Sequence, residues 1–151
     1  MSGPLRVSGA ADLEAAAGKT LGPSPWQTVG PARAEAFAAA TGGRTSTGEV
    51  AQFLTLSLVP RLLNRVRTVE NVRMGVNYGV DGVRFPAAVR VGARVRGRAR
   101  IVEVKRLPGD AVQVVTRVTV DFEHSAEPAC VADLVVRYYF DVEAPSSHAP
   151  S

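Results

Sequence analysis

The sequence predicts an α+β fold: a single domain in which a curved antiparallel sheet wraps around one long apolar helix. Three observations carry this. The stretch from Glu49 to about Arg65, "EVAQFLTLSLVPRLLNR", contains Val50, Phe53, Leu54, Leu56, Leu58, Val59, Leu62 and Leu63 and leaves almost no polar side. A helix apolar all round is buried on most sides. Downstream, residues 69–78, 93–107, 111–123 and 128–142 are rich in Val, Tyr, Phe and Thr, with runs of period-two alternation that mark strands. Between the last three of these, "LPGD" (107–110) supplies a tight hairpin and "EHSAEP" (123–128) a longer one, which gives an antiparallel meander. In a chain of 151 residues, that sheet is the partner left to cover the helix.

The remaining elements follow in order. Residues 1–10 are expected to be a loose N-terminus, the domain to run over 11–142, and the Pro- and Ser-rich "EAPSSHAPS" at 143–151 to be a disordered tail. Asp12 to Gly18 reads as a short helix, with an acidic start and a glycine stop. "SPWQTVG" (24–30) suits a first strand, and Pro31 opens a helix through Ala40, since proline is tolerated in a first helical turn. Pro86 keeps the connection 82–92 from being central strand throughout.

Composition narrows the function. Hydrophobic content is 46% and charged content 21%, as in soluble globular proteins. No apolar run reaches the length of a membrane span and no signal peptide opens the chain, so no membrane role is expected. The single cysteine, Cys130, has no internal partner, which points to the reducing cytoplasm. Net charge is +4, carried by sixteen Arg and two Lys (Lys19 and Lys105). Arginine forks onto phosphate, but no aromatic residues interleave with these side chains as a nucleic-acid groove requires, so nucleic acid is not expected as a partner.

Four stretches are more specific: "FAAATGG" (37–43), "FLTLSLVP" (53–60), "MGVNYGVDGVRFPAAVRVGARVR" (74–96) and "PACVADLVVRYY" (128–139). Together they resemble the MaoC-like dehydratases, the (R)-specific enoyl-CoA hydratase family, from about Leu13 to Tyr139. The resemblance implies a hotdog fold, usually a homodimer with its sheets joined edge to edge. It also implies reversible addition of water to a trans-2-enoyl thioester, in fatty-acid or polyketide-type metabolism. No cofactor is implied. Coenzyme A or phosphopantetheine enters only as the carrier of the substrate.

That reaction needs a base to deprotonate water as it attacks C3 and an acid to protonate C2, a contribution of roughly 10²–10⁴-fold. It also needs preorganised donors for the thioester oxygen, a task suited to helix N-terminal N–H groups. In the family an Asp follows "Thr-Gly" directly, a His stands five residues on, and a loop of some twenty residues leads to "Ala-His-Gly" at the helix start. Here Gly43 follows Thr41-Gly42, and Gly48 stands five residues later. The loop is reduced to "GGRTSTGE", and Ala51 or Gln52 falls at the second His position. The two histidines, His124 and His148, lie in a hairpin and in the tail. The family's acid–base pair is therefore missing from the sequence.

Glu49 is the one carboxylate in this stretch, a weak candidate base that equally suits the first turn of a helix. A thioesterase route, which relies on a carboxylate borne on the central helix or the facing strand, finds no Asp or Glu on the helix beyond Glu49. Ser46 and Thr47 read as helix caps, with no His to activate them. By resemblance, Gln52, Phe53, Asn77, Tyr78, Gly79 and Arg84 are the candidate substrate-binding residues, with Arg84 alternatively paired to Asp81. Arg94, Arg96, Arg98 and Arg100 share one strand face, either solvated or turned to carrier phosphates. Cys130, among Ala and Val, reads as a small buried apolar residue.

Three functions stay open on the sequence. The first is a degenerate hotdog that binds an acyl-CoA or acyl-carrier thioester or pairs, as homodimer or heterodimer, with a related active subunit. The second is a lyase of altered mechanism acting on an unusual substrate. The third is a structural dimer without ligand.

Overall fold

The computed structural model describes residues 3–43 and 48–141. The elements run β1 (Leu5–Val7), α1 (Ala10–Ala15), β2 (Thr20–Leu21), β3 (Gln27–Thr28), α2 (Pro31–Thr41), α3 (Gln52–Ser57), α4 (Val59–Val66), β4 (Arg67–Val69), β5 (Val72–Arg84), β6 (Arg94–Leu107), β7 (Ala111–Phe122) and β8 (Cys130–Phe140). Six strands make one antiparallel sheet in the order β2-β6-β7-β8-β5, with β3 also paired to β6. The meander of the last three strands is present in register, from Val95↔Phe122 to Leu107↔Ala111 and from Ala111↔Tyr139 to Val120↔Cys130. Their inward residues, among them Ile101, Val112, Val114, Val118, Val120 and Ala132, bury Leu54, Leu58, Leu62, Leu63 and Val66 of the helix. This is the hotdog architecture.

The central helix departs from expectation in three ways. It is broken at Leu58, because Pro60 has no N–H for the carbonyl of Leu56, and the chain resumes as α4 with proline in its first turn. It opens at Gln52 rather than Glu49. The segment before it is extended, with Val50 N–H donating to Val89 O at 2.7 Å and Val91 N–H to Gly48 O at 2.8 Å. One side is also uncovered: Phe53, Ser57, Arg61, Asn64 and Arg65 are exposed, with Phe53 at 68%.

Other boundaries shift for local reasons. The loose N-terminus expected over 1–10 is corrected at Leu5–Val7, which pairs in parallel with β4 and so forms a second, two-stranded sheet. The strand expected at 69–78 is split by Asn71, whose φ of 61° turns the chain, and β5 then continues to Arg84. The first strand expected at 24–30 contracts to Gln27–Thr28, and Thr20–Leu21 pairs with β6 beside it. The caps expected at Ser46 and Thr47, His148 and the tail at 143–151 lie outside the described residues.

Candidate functional site

Helix α2 ends because Gly42 takes a left-handed conformation (φ 71°) that an L side chain resists. The Thr41 hydroxyl donates to Phe37 O at 2.8 Å and tightens the same turn. This brings Gly43 beside the extended segment 48–50, which is held against residues 89–91 by the backbone bonds above and an antiparallel bridge between Glu49 and Arg90. A cleft of about 270 Å³ lies between them, lined by Pro31, Ala34, Glu35, Phe37, Ala38, Thr41, Gly43, Gly48, Glu49, Ala51 and Val91. Gly43 and Gly48, where the resemblance leads one to expect Asp and His, both line this one cleft.

Two carboxylates, Glu35 and Glu49, line the cleft, and no histidine does. Arg44 to Thr47, the four residues between Gly43 and Gly48, include neither carboxylate nor imidazole. His124 is in the β7–β8 turn with its side chain 93% exposed, its Nε2 4.0 Å from the Glu123 carboxylate. Glu49 is corrected from a first-turn helix residue to a bridge residue three positions ahead of α3, so the helix dipole does not account for it. The sequence reading missed Glu35. The signal was present: Pro31, Ala34, Glu35, Ala38 and Thr41 recur at helical spacing and form one side of α2.

The residues expected to bind substrate are not gathered in this cleft. Gln52 and Phe53 open α3 just beyond Ala51 and are exposed, and the Phe53 ring meets Phe85 edge-on with centroids 6.0 Å apart. Asn77, Tyr78 and Gly79 lie midway along β5, where the Arg137 guanidinium sits 3.6 Å from the centroid of the Tyr78 ring. Arg84 closes β5, exposed, and makes no ion pair with Asp81.

The arginine row of β6 does share an outward face, but carboxylates occupy two of its members. Arg94 pairs with Glu123 at 2.9 Å and Arg98 with Asp121 at 2.6 Å, while Arg96 stacks 4.3 Å from the centroid of Trp26. Hydrogen bonds from Arg94 hold the Glu123 carboxyl below its ordinary range. Cys130 is fully buried, and burial pushes its thiol up, as expected of an inert core residue.

Strand β5 is the sheet's edge. Its partner among the described residues is β8, and along the strand Met74, Val76, Tyr78 and Val80 are all exposed. These four apolar side chains stand exposed on a 13-residue edge strand, a feature that natural sheets seldom leave uncovered.

No family model matches the sequence. Individual proteins do. The 3-hydroxyacyl-thioester dehydratase Z of Mycobacterium tuberculosis is 42% identical over 142 residues, covering 85% of this chain and 94% of the relative. Nodulation protein N of Rhizobium leguminosarum bv. viciae is 32% identical over 151 residues, covering 87% and 91%. Among solved structures, the MaoC-like dehydratase from Rhodospirillum rubrum superposes with a TM-score of 0.64 at 15% identity over 84% of this chain and 94% of that one. The R-hydratase PhaJ1 from Pseudomonas aeruginosa gives 0.62 at 18% over 95% of each. The HadBC (3R-hydroxyacyl-ACP dehydratase) complex from Mycobacterium tuberculosis gives 0.60 at 18% over 81% and 96%.

Proposed function

The chain belongs to the MaoC-like hotdog family of 3-hydroxyacyl-thioester dehydratases, and from that premise we propose that it is a non-hydrating member, which joins an active relative along β5 and shelters that subunit's acyl-thioester substrate. One observation supports this reading: Gly43 and Gly48, at the positions where the resemblance implies an acid and a base, both line the cleft. A glycine can neither accept a proton from water nor return one to C2. The exposed apolar row of β5 supports the pairing, as does the precedent of HadBC, a complex of hotdog subunits. A reducing cytoplasm agrees with the lone buried Cys130.

The test is hydration of crotonyl-CoA, with the mycobacterial dehydratase Z run beside the chain as positive control. The purified chain is expected to give the uncatalysed rate. Hydration at the relative's rate overturns the reading. Retained thioester binding is read separately by thermal shift, since ligand at 100 times its Kd stabilises by about 2.7 kcal/mol. No shift at millimolar crotonyl-CoA, with the chain alone or with an active relative, removes substrate from the proposal.

A second reading is favoured by the presence of Glu35 and Glu49 in one cleft. Two carboxylates lining one cleft can divide acid and base work between them, which would make the chain a lyase of altered mechanism. Under this reading a dehydration activity on a 3-hydroxyacyl thioester would fall at least tenfold in both Glu35→Gln and Glu49→Gln. Under the first, neither substitution changes anything measured.

A further inference from the structure

At the far end of α4, Arg67 turns its side chain inward. It is 2% exposed, and its one hydrogen bond runs from Nη2 to the hydroxyl of Tyr138, itself 8% exposed. Its Nε and Nη1 are shut off from solvent and have no acceptor among the described residues. Among the described residues, no carboxylate stands within ion-pair distance of it. The phenol is not the counter-charge, because burial pushes Tyr138 up and keeps it neutral.

A buried lysine in this position could shed its proton, but arginine does not. Burial lowers Arg67, yet a guanidinium starts from so high a value that it stays charged. An uncompensated ion in a protein interior costs several kcal/mol, and removing the partner of a buried charge is among the costliest single changes. The last carbonyls of α4, which ends at Val66, offer about half an elementary negative charge at its C-terminus and offset part of this. The remainder is unmet.

A groove of about 790 Å³ lies nearby, between the end of β1 and the β4–β5 turn, with Ser8, Asn71, Asp110, Val112, Phe140 and Asp141 in its walls; Arg67 and Tyr138 do not line it. The Phe140 ring lies 6.3 Å from that of Tyr138, whose hydroxyl holds Arg67.

We propose that Arg67 and Tyr138 form a buried site for a small monovalent anion, a halide or a carboxylate of formate size. Such an ion accepts from Nε or Nη1 and from the phenol, neutralises the guanidinium and ties β4 to β8. Larger or divalent anions do not suit a single enclosed positive charge. The site is independent of the cleft at Gly43 and Gly48 and of the chain's activity.

The test uses the intact chain. In crystals equilibrated with sodium bromide, an anomalous peak is expected within hydrogen-bond distance of Arg67 Nε or Nη1. Density there without anomalous signal means water and overturns the proposal. In solution, melting temperature at constant ionic strength is expected to rise and saturate when chloride replaces gluconate. The chloride increment should vanish in Arg67→Met and shrink in Tyr138→Phe. An increment of the same size in Arg67→Met overturns the site. Should Arg67→Met fail to fold, the bromide experiment on the unmodified chain decides alone.

Discussion

Gly97 of β6 and Leu62 of α4 approach so closely that a β-carbon on the glycine would lie 2.8 Å from that of the leucine. The same glycine accepts a hydrogen bond from Ser24 N–H at 2.8 Å and donates one to Ser24 Oγ at 2.9 Å, so its backbone cannot retreat outward. Leu62 is fully buried and cannot swing away. Gly97→Ala is therefore expected to destabilise by about 1–3 kcal/mol through overpacking. At this chain length that is a fall of roughly 3–10 °C in melting temperature. An unchanged transition in a calorimetric scan would mean that helix and sheet are not in the contact described.

Association is expected to run through β5. Replacing Val76 and Val80, both exposed on that strand, by lysine puts charge where apolar side chains would be covered by a second sheet. Charges on an edge strand are the usual natural device against pairing. The unmodified chain should elute with the mass of a dimer, or of a complex with its relative, and the double variant as a monomer with its secondary structure intact by circular dichroism. Equal masses for the two would place the interface elsewhere.

The outer-face pair Arg94–Glu123 gives a pH prediction whose sign is fixed by its direction. Arg94 holds the Glu123 carboxyl below the ordinary value, so the pair contributes fully above that value, about 4.3, and loses its contribution as pH falls further through the folded value. Melting curves of the unmodified chain and of Glu123→Gln should therefore differ at pH 7 and converge in the acid range below about pH 4. Both groups are open to solvent, so the difference is small and should shrink in 1 M salt. A gap that widens on acidification would contradict the pairing.

The parts legible in the sequence were those set by short-range pattern. Alternation through β6, β7 and β8 and the turn residues at Pro108-Gly109 fixed the meander, because side chains on a pleated strand face opposite ways whatever surrounds them. Tertiary competition defeated the reading elsewhere. Glu49 and Val50 have helical neighbours on one side, but the backbone of 89–91 offers them strand-like bonds and wins. Pro60 was visible as a helix-breaking residue, yet its weight against eight apolar neighbours emerged only with the break at Leu58. In the sequence the site reads as a loss, two glycines in place of an acid and a base, and the structure shows that both glycines line one cleft. Glu35 carried only the local signal of its helical spacing along α2, and the Arg67–Tyr138 contact carried none, since it joins residues from distant parts of the chain.

The pairing of β5 with β8 is interrupted three times, between Val72 and Met74, Asn77 and Gly79, and Asp81 and Arg84. Each interruption bends the strand, so its outward rim is crooked rather than ruler-straight. A stray peptide of ordinary extended shape could dock on one short section and would then lose step. Only a mate whose own contour carries matching bends can follow the whole length. The irregular rim thus acts as a filter on company, turning an otherwise sticky border into a selective one.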